Sequence, residues 1–349
     1  MRRLSIALFM VVTLVLLAGA AGCGTSAQTA GPASADLSPE GILAQAVAAS
    51  QEMVSAKGSF EVAVSFDVDP GVELPEEAMA LVGQPMKVSG TLAFESDQRA
   101  GEFTVSVSVA GQVRDVGMKL LGDKVWFRFM DQWYEAPPEM QQMLGDASGQ
   151  VTKVTEIQQL LADMGLDPTT WMADLRLVGE ETIDGAAVYH LAASPDLAKM
   201  MADVVGLMQS GELMKLLDPS GSGDGLMGTA SSLPSAGELQ EMQKQLQAMF
   251  TDLAADLWIA KDSFAVLKVT AGARMTPPSG EDADGLNAII LSAMISLQDI
   301  NEPVTVEPPA SVQPWTALEK AMEDTLGTFM APLLGAASGS AVGAPDTYQ

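Results

Sequence analysis

The chain has 349 residues, with 45 acidic and 18 basic side chains, and its formal net charge is −27. A surface this acidic excludes nucleic acid as a partner, because phosphate backbones recruit Lys and Arg. Anionic membranes would not hold the protein by charge for the same reason. Only one cysteine is present, so stability must come from a packed core and not from disulfides.

Residues 1–22 are predicted to be a secretory signal peptide. Arg2 and Arg3 precede an apolar run, residues 4–17, which is too short for an ordinary membrane span. Cys23 follows a stretch of small residues in a pattern that resembles the lipobox of bacterial lipoproteins, except that Ala20 stands where Leu is usual. The resemblance implies that Cys23 is acylated, with palmitate for example, and begins the mature chain. The alternative is an ordinary export signal with an incidental cysteine.

After Cys23, residues 24–36 contain no large apolar side chain and are predicted to be a flexible tether. Ser38 then provides an N-cap and Pro39 a first helical residue. Apolar residues follow at helical spacing, so a helix is predicted over Ser38–Ala56.

Most of the remaining chain alternates between apolar and polar residues. Strands are predicted at residues 60–68, 88–95, 103–109, 116–121, 125–130, 132–135, 175–181, 186–193, 256–260, 264–272 and 287–299. Strands with one apolar face are typical of an antiparallel sheet covered on one side, and the short connections favour hairpins. The clearest hairpin turns at Ile183–Gly185.

Further helices are predicted between these strands. They are placed at residues 139–165, 196–217, 238–255 and 315–334. A Gly- and Ser-rich stretch, about residues 218–237, is predicted to be a flexible insertion, and the tail after the last helix to be disordered. Several helices are rich in methionine, which either lines a surface for variable apolar ligands or fills gaps in an ordinary core.

Five landmarks occur in a characteristic order. They are Gly122–Arg128 (GDKVWFR), Trp133–Glu135 (WYE), Leu177–His190 (LVGEETIDGAAVYH), Asp256–Asp262 (DLWIAKD) and Asp299–Pro309 (DINEPVTVEPP). As an ordered set they resemble the LolA-like lipoproteins, especially the LppX/LprA/LprF/LprG group of cell-envelope lipoproteins. The resemblance implies an α+β fold in which a curved antiparallel sheet, an unclosed half-barrel, has helices covering its concave face.

The resemblance also implies an apolar cavity that takes lipid acyl chains. A lipid-binding domain is therefore expected at residues 37–312, followed at 313–349 by an amphipathic helix and tail. The candidate contacts are apolar residues of the strands and of the second predicted helix, and residues of this kind are more often plain core than ligand contacts. They are Phe60, Val62, Val64, Phe66, Leu92, Phe94, Phe103, Val105, Val107, Ile157, Leu160, Leu161 and Met164.

Catalysis is not predicted. His190 is the only histidine and lies in a strand, where a surface role is expected in place of nucleophile activation or metal binding. Residues 282–285 faintly resemble a calcium loop without its closing Glu, which favours a turn. No cofactor and no metal are expected.

The leading hypothesis is a lipoprotein anchored through Cys23 to the outer face of the bacterial cytoplasmic membrane, in the periplasm or cell envelope. It would bind lipid or lipoglycan acyl chains and carry or present them. One alternative is a sensor or scaffold of the same fold that regulates an envelope protein partner. Another is a structural lipoprotein with a solid core.

Overall fold

The computed structural model describes residues 38–72, 84–109, 112–141, 168–210, 248–276 and 285–322, together with the single residues 82, 237 and 244. Within these residues, eleven antiparallel strands form one curved sheet that does not close into a barrel, and helices lie on its concave face. The α+β half-barrel predicted from the sequence is therefore confirmed. The concave side is called the inner face below, and the convex side the outer face.

The eleven strands correspond to the eleven segments predicted from alternation. They are β1 (Ser55–Val68), β2 (Met86–Glu95), β3 (Ala100–Val109), β4 (Gln112–Leu121), β5 (Lys124–Phe129), β6 (Gln132–Glu135), β7 (Met172–Ile183), β8 (Ala186–Pro195), β9 (Phe250–Ala260), β10 (Val266–Met275) and β11 (Leu286–Gln298). Their order in the sheet is β6-β5-β4-β3-β2-β1-β11-β10-β9-β8-β7. Two meanders therefore meet where β1 pairs with β11, and β6 and β7 are the edges.

The described helices are α1 (Pro39–Gln51), a 3₁₀ helix (Pro168–Trp171) and α2 (Leu197–Ser210), and residues 138–141 and 315–322 are also helical. Ser38 caps α1 as predicted, since its Oγ accepts a hydrogen bond from the Gly41 N–H at 3.1 Å.

The predicted extension of α1 to Ala56 is wrong. The helix ends at Gln51, and β1 begins four residues later at Ser55. Backbone and side-chain groups there bond to the chain after β11: the Val54 N–H donates to Asn301 Oδ1 at 2.8 Å. Partners nearly 250 residues away thus end the helix, and local spacing does not reveal them.

The predicted helix over residues 238–255 is wrong at its C-terminal end, because β9 starts at Phe250. Asp252 has a left-handed φ of 55°, and the pairing of β9 with β10 shifts register beside it. Such a bulge changes the phase of the alternation, so the strand is hidden in an alanine-containing sequence with good helix propensity. Similarly, Phe264 lies in the β9–β10 turn with φ 57° and not in β10.

The best-packed part of the core lies between α1 and the second meander. Ile42, Leu43 and Ala46 of α1 pack on Leu191 of β8 and on Leu257 and Ile259 of β9, and all six are buried. A second cluster joins Phe250, Met275 and Ile289 with Leu197 at the start of α2. The inner face of β8–β11 is called the covered face below.

After β11 the chain crosses to the outer face and then to the β6 edge. Val304 and Val306 pack on Ala100, and the Val304 N–H donates to the buried Glu95 carboxylate at 3.1 Å. Farther on, Gln313 pairs in parallel with Tyr134, so this segment covers the β6 edge. The predicted domain end at residue 312 falls within it.

The segment then turns to the inner face. There Trp315 contacts Phe127 edge to face, with ring centroids 5.5 Å apart, and Leu318 is buried.

Several predicted features lie outside the described residues and stay predictions. These are the signal peptide, Cys23, the tether, nearly all of the 218–237 insertion, most of the 139–165 helix and the tail. Among the described residues, no helix is both long and apolar enough to cross a bilayer.

Candidate functional site

The candidate site is the inner face of β1–β4, called the open face below. The strand register brings the nine predicted strand contacts together on this face. One row runs Phe60–Gly90–Val105–Val116, a second Gly58–Leu92–Phe103–Met118, a third Val62–Val88–Val107, and Val64, Phe66 and Phe94 lie on the same side. Cross-strand partners share a face in an antiparallel sheet, so these residues form a continuous apolar wall.

The outer face of the same strands is polar. Lys87 of β2 pairs with Glu61 of β1 at 2.5 Å, and Ser106 of β3 donates to Asp115 of β4 at 2.6 Å. The two faces of these strands therefore differ as the alternation predicts, and the apolar side chains belong to the concave side.

Two glycines on the open face allow large neighbours to lie flat on the sheet. A Cβ atom at Gly90 would lie 2.6 Å from two ring carbons of Phe60, and closer still to the Thr104 carbonyl oxygen. The Phe60 ring thus lies over Gly90, and it stacks on Phe103 with centroids 5.5 Å apart and planes 10° apart. At Gly58 the Leu297 and Leu92 side chains take the corresponding space. The Phe60 and Phe103 rings and the Leu92 side chain are thus packed together at the centre of the wall.

The open face is much less buried than the covered face. Leu191 and Leu257 on the covered face are 0% and 5% exposed, whereas Phe103 and Val116 on the open face are 39% and 40% exposed. Within the described part of the chain, the hydrophobic core clusters do not include Leu92, Phe94, Phe103, Val105 or Val107. An apolar surface of this extent in one concave wall is typical of an interaction site.

The space beneath α1 is not a ligand site. A cavity of about 20 Å³ lies between Ala49 of α1, Met53 just after it, and Val269, Ile295 and Leu297 of the sheet. This volume holds a water molecule or a methyl group but no acyl chain. A larger depression of about 380 Å³ opens at the end of α1 beside polar groups such as Glu52, Asp262 and Asp299. Among the described residues, neither of these two spaces suits an apolar chain, whereas the open face is apolar and part-exposed.

Five predicted site residues lie outside the described residues. They are Cys23, Ile157, Leu160, Leu161 and Met164. Acylation of Cys23 and ligand contact by the four helix residues stay predictions.

A polar cluster on the outer face of β7–β10 was not predicted. His190 of β8 lies between two carboxylates, with Nδ1 2.7 Å from Glu181 Oε1 and Nε2 2.9 Å from Asp256 Oδ1. Its ring stacks on Trp258 with centroids 4.5 Å apart, and Lys268 lies over the same indole. Only 14% of the His190 side chain is exposed.

This cluster ties the edge strand β7 to the strands beside it. The indole N–H of Trp258 donates to Glu181 Oε2 at 3.0 Å, and this bond, together with that from His190, lowers the pKa of the Glu181 carboxyl. Both ring nitrogens of His190 face carboxylate oxygens, which leaves neither for a substrate. The hydrogen bonds of the cluster join residues 66 and 77 positions apart, so no local sequence signal could have revealed it.

The strand order and the apolar wall together define an open α+β half-barrel. Two solved lipoproteins are similar to it. LppX from Mycobacterium tuberculosis is 14% identical, with a TM-score of 0.32 over 78% of this chain and 100% of that chain. LprF from Mycobacterium bovis is 14% identical, with a TM-score of 0.33 over 78% of this chain and 97% of that chain.

A third likeness is to a DUF1329 family protein from Desulfovibrio piger, at 9% identity and a TM-score of 0.21 over 77% of this chain and 93% of that chain. LppX and LprF are members of the group that the ordered sequence landmarks resemble. Neither the family models nor the curated proteins give a match. With identities and TM-scores this low, the fold is defined here by the strand order alone.

Proposed function

We propose that the chain is a cell-envelope lipoprotein that binds the acyl chains of a lipid or lipoglycan against the open face and carries or presents them. One observation supports this most directly. Phe60, Phe103, Val105 and Val116 belong to a concave apolar wall that stays part-exposed, whereas the neighbouring covered face is buried. A fold that only needed a core would gain stability by burying both.

The energy of such binding comes from removing apolar surface from water. Each buried methylene contributes about 0.8 kcal/mol, so a chain of ordinary length gains on the order of ten kcal/mol before ordering costs are subtracted. No polar constellation or catalytic group is required, which fits the apolar residues of the wall.

The proposed location follows from the front of the chain. Acylation of Cys23 would anchor the protein to the outer face of the cytoplasmic membrane, and two or more acyl chains are needed for stable anchoring. The tether at residues 24–36 would then let the domain reach ligand in the membrane or a partner protein in the envelope.

The test is a matched pair of tryptophan substitutions on β3. Val105→Trp places an indole on the open face, and Thr104→Trp places one on the outer face at the next residue. Delipidated chain is incubated with envelope lipid extract, and bound lipid is measured by native mass spectrometry. Excluding two or three methylenes at about 0.8 kcal/mol each predicts a loss of affinity of roughly tenfold or more for Val105→Trp.

Thr104→Trp should bind lipid as the unsubstituted chain does, and melting temperatures of both variants check that the sheet is intact. Recovery of only ligand-free mass across all lipid classes would contradict the proposal. So would an equal loss of lipid binding in both variants.

A further inference from the structure

The open face contains one charged residue, Arg114 of β4. The register places it opposite Val107 of β3, which itself lies opposite Val88 of β2 and Val62 of β1. Arg114 thus ends a row of three valines on the inner side of the sheet. Its side chain is exposed, and β5 does not extend beside it, because the last pair of β4 with β5 at that end is Val116 with Phe129.

The neighbouring residue confirms which face Arg114 occupies. Asp115 accepts a hydrogen bond from Ser106 on the outer face, and successive side chains of a strand point to opposite faces. Arg114 therefore belongs to the same side as Val105 and Val107, at the rim of the apolar wall.

Arg114 also differs from the other basic residues of these strands in having no acidic partner among the described residues. Lys57, Lys87 and Lys119 lie on the outer face and pair with Asp299, Glu61 and Glu102 at 2.8, 2.5 and 3.4 Å. The ion pairs and hydrogen bonds found in the described part of the chain do not involve Arg114. An arginine without a carboxylate partner is notable in a chain with 45 acidic residues.

We propose that Arg114 binds the anionic headgroup of an amphiphile whose acyl chain lies along the valine row, so that the ligand class is lipids with a phosphate or carboxylate headgroup. This inference rests on the proposed function. Guanidinium is suited to such a headgroup because its planar N–H donors match two oxygens of a phosphate or carboxylate at once.

The dimensions of the wall agree with this arrangement. Neighbouring strands lie about 4.8 Å apart, so roughly 14 Å of apolar surface separates Arg114 from Val62. The net charge of the whole chain does not oppose it, since exposed charges more than about 8 Å away are largely screened at physiological ionic strength. The cationic Arg114 at the rim therefore favours an anionic headgroup beside it.

The experiment compares two palmitoyl lysophospholipids that differ only in headgroup charge, lysophosphatidylglycerol and lysophosphatidylcholine. Binding of each to the purified full chain is measured by equilibrium dialysis below the micelle concentration. Arg114→Gln removes the cation and Arg114→Lys retains it. Arg128→Gln is the matched control, because Arg128 lies on the outer face of the next strand, against the Trp133 ring.

Arg114→Gln should weaken lysophosphatidylglycerol binding roughly fivefold, as expected for a partly exposed charge-assisted hydrogen bond, and leave lysophosphatidylcholine binding unchanged. Arg114→Lys should recover part of the loss, and Arg128→Gln should behave as the unsubstituted chain. An equal affinity for both lipids that Arg114→Gln does not alter would overturn the headgroup assignment while leaving the proposed function intact.

Two further outcomes separate the remaining possibilities. If neither lysophospholipid binds while envelope lipid extract still gives bound lipid, the headgroup assignment fails and the proposed function stands; if neither assay gives bound lipid, both fail. Inorganic phosphate alone is tested as a competitor; displacement of lysophosphatidylglycerol at low millimolar phosphate would show a free-phosphate site and overturn the assignment to a lipid. Absence of displacement at that concentration supports the lipid headgroup.

Discussion

The covered and open faces have the same kind of sequence and different environments. Both are inner faces of antiparallel strands with Val, Leu, Ile, Phe and Ala, and they meet in one continuous row at the β1–β11 pair, where Phe60 lies opposite Ile295. On one side α1 packs Ile42 and Leu43 against the strands and leaves a gap of about 20 Å³ nearby. On the other side the same strand chemistry stays part-exposed. The difference between the buried covered face and the part-exposed open face therefore comes from the packing of α1 and not from the composition of the strands.

The largest expected effect on stability comes from truncating a buried side chain of the covered face. Leu191→Ala should lower the free energy of unfolding by about 3 kcal/mol, because a fully buried leucine leaves a cavity when truncated. Leu92→Ala makes the same chemical change on the open face, where the side chain is only partly buried, and should cost about 1 kcal/mol or less. Urea unfolding of both variants measures the difference. Equal losses would show that the open face is core.

A smaller effect tests the packing at the centre of the open face. Gly90→Val should destabilise the chain by about 1–3 kcal/mol, since the new side chain would overlap the Phe60 ring and the Thr104 carbonyl. Gly101→Val on β3 is the control, because the nearest atom to a Cβ there is a carbonyl oxygen at 3.7 Å. Thermal unfolding compares the two. A control as unstable as Gly90→Val would show that the effect is not specific to the Phe60 contact.

The smallest expected effect on stability concerns the polar cluster around His190, on the outer face of β7–β10. Hydrogen bonds from Trp258 and His190 lower the pKa of Glu181 below its ordinary value of 4.5. A depressed carboxyl pKa contributes stability above pH 4.5, and this contribution is lost as the pH falls through the folded-state pKa. Glu181→Gln should therefore be less stable than the unsubstituted chain at neutral pH and nearly equal to it in acid.

Trp258→Phe keeps a ring beside His190 and removes the first of these hydrogen bonds. The acid loss of stability should then begin at higher pH, as followed by urea unfolding midpoints across the acid range. Identical profiles for Trp258→Phe and the unsubstituted chain would rule out the indole as a cause of the lowered pKa.

The strands were predictable because alternation is a local property. Residues such as Phe60, Val62 and Val64 show the two-residue period directly, and the register confirms that they share one face. Errors arose where local spacing competes with distant partners. Helix α1 ends early because of Asn301, and β9 starts early because a bulge at Asp252 breaks its period.

The site was predictable in part for the same reason. Alternation identified Phe103, Val105 and Val107 as one face, but it gave no measure of their exposure. Arg114 interrupts the apolar pattern of β4. Only the strand register shows that it lies at the end of the Val62–Val88–Val107 row on the open face. The Glu181–His190–Asp256 contacts join three strands, and the spacing of these residues along the chain does not predict them.

By itself, the amino-acid sequence determined where the strands lie and which of their two faces is apolar, because alternation depends on residues next to one another. It also determined the acidic surface, which follows from composition. Tertiary structure decided that β1 pairs with β11 in the middle of the sheet and that α1 buries one inner face and leaves the other part-exposed. Those outcomes depend on contacts between residues far apart in the chain, such as Lys57 with Gln298 and Ile42 with Leu191, and local patterns do not contain the energies of these contacts.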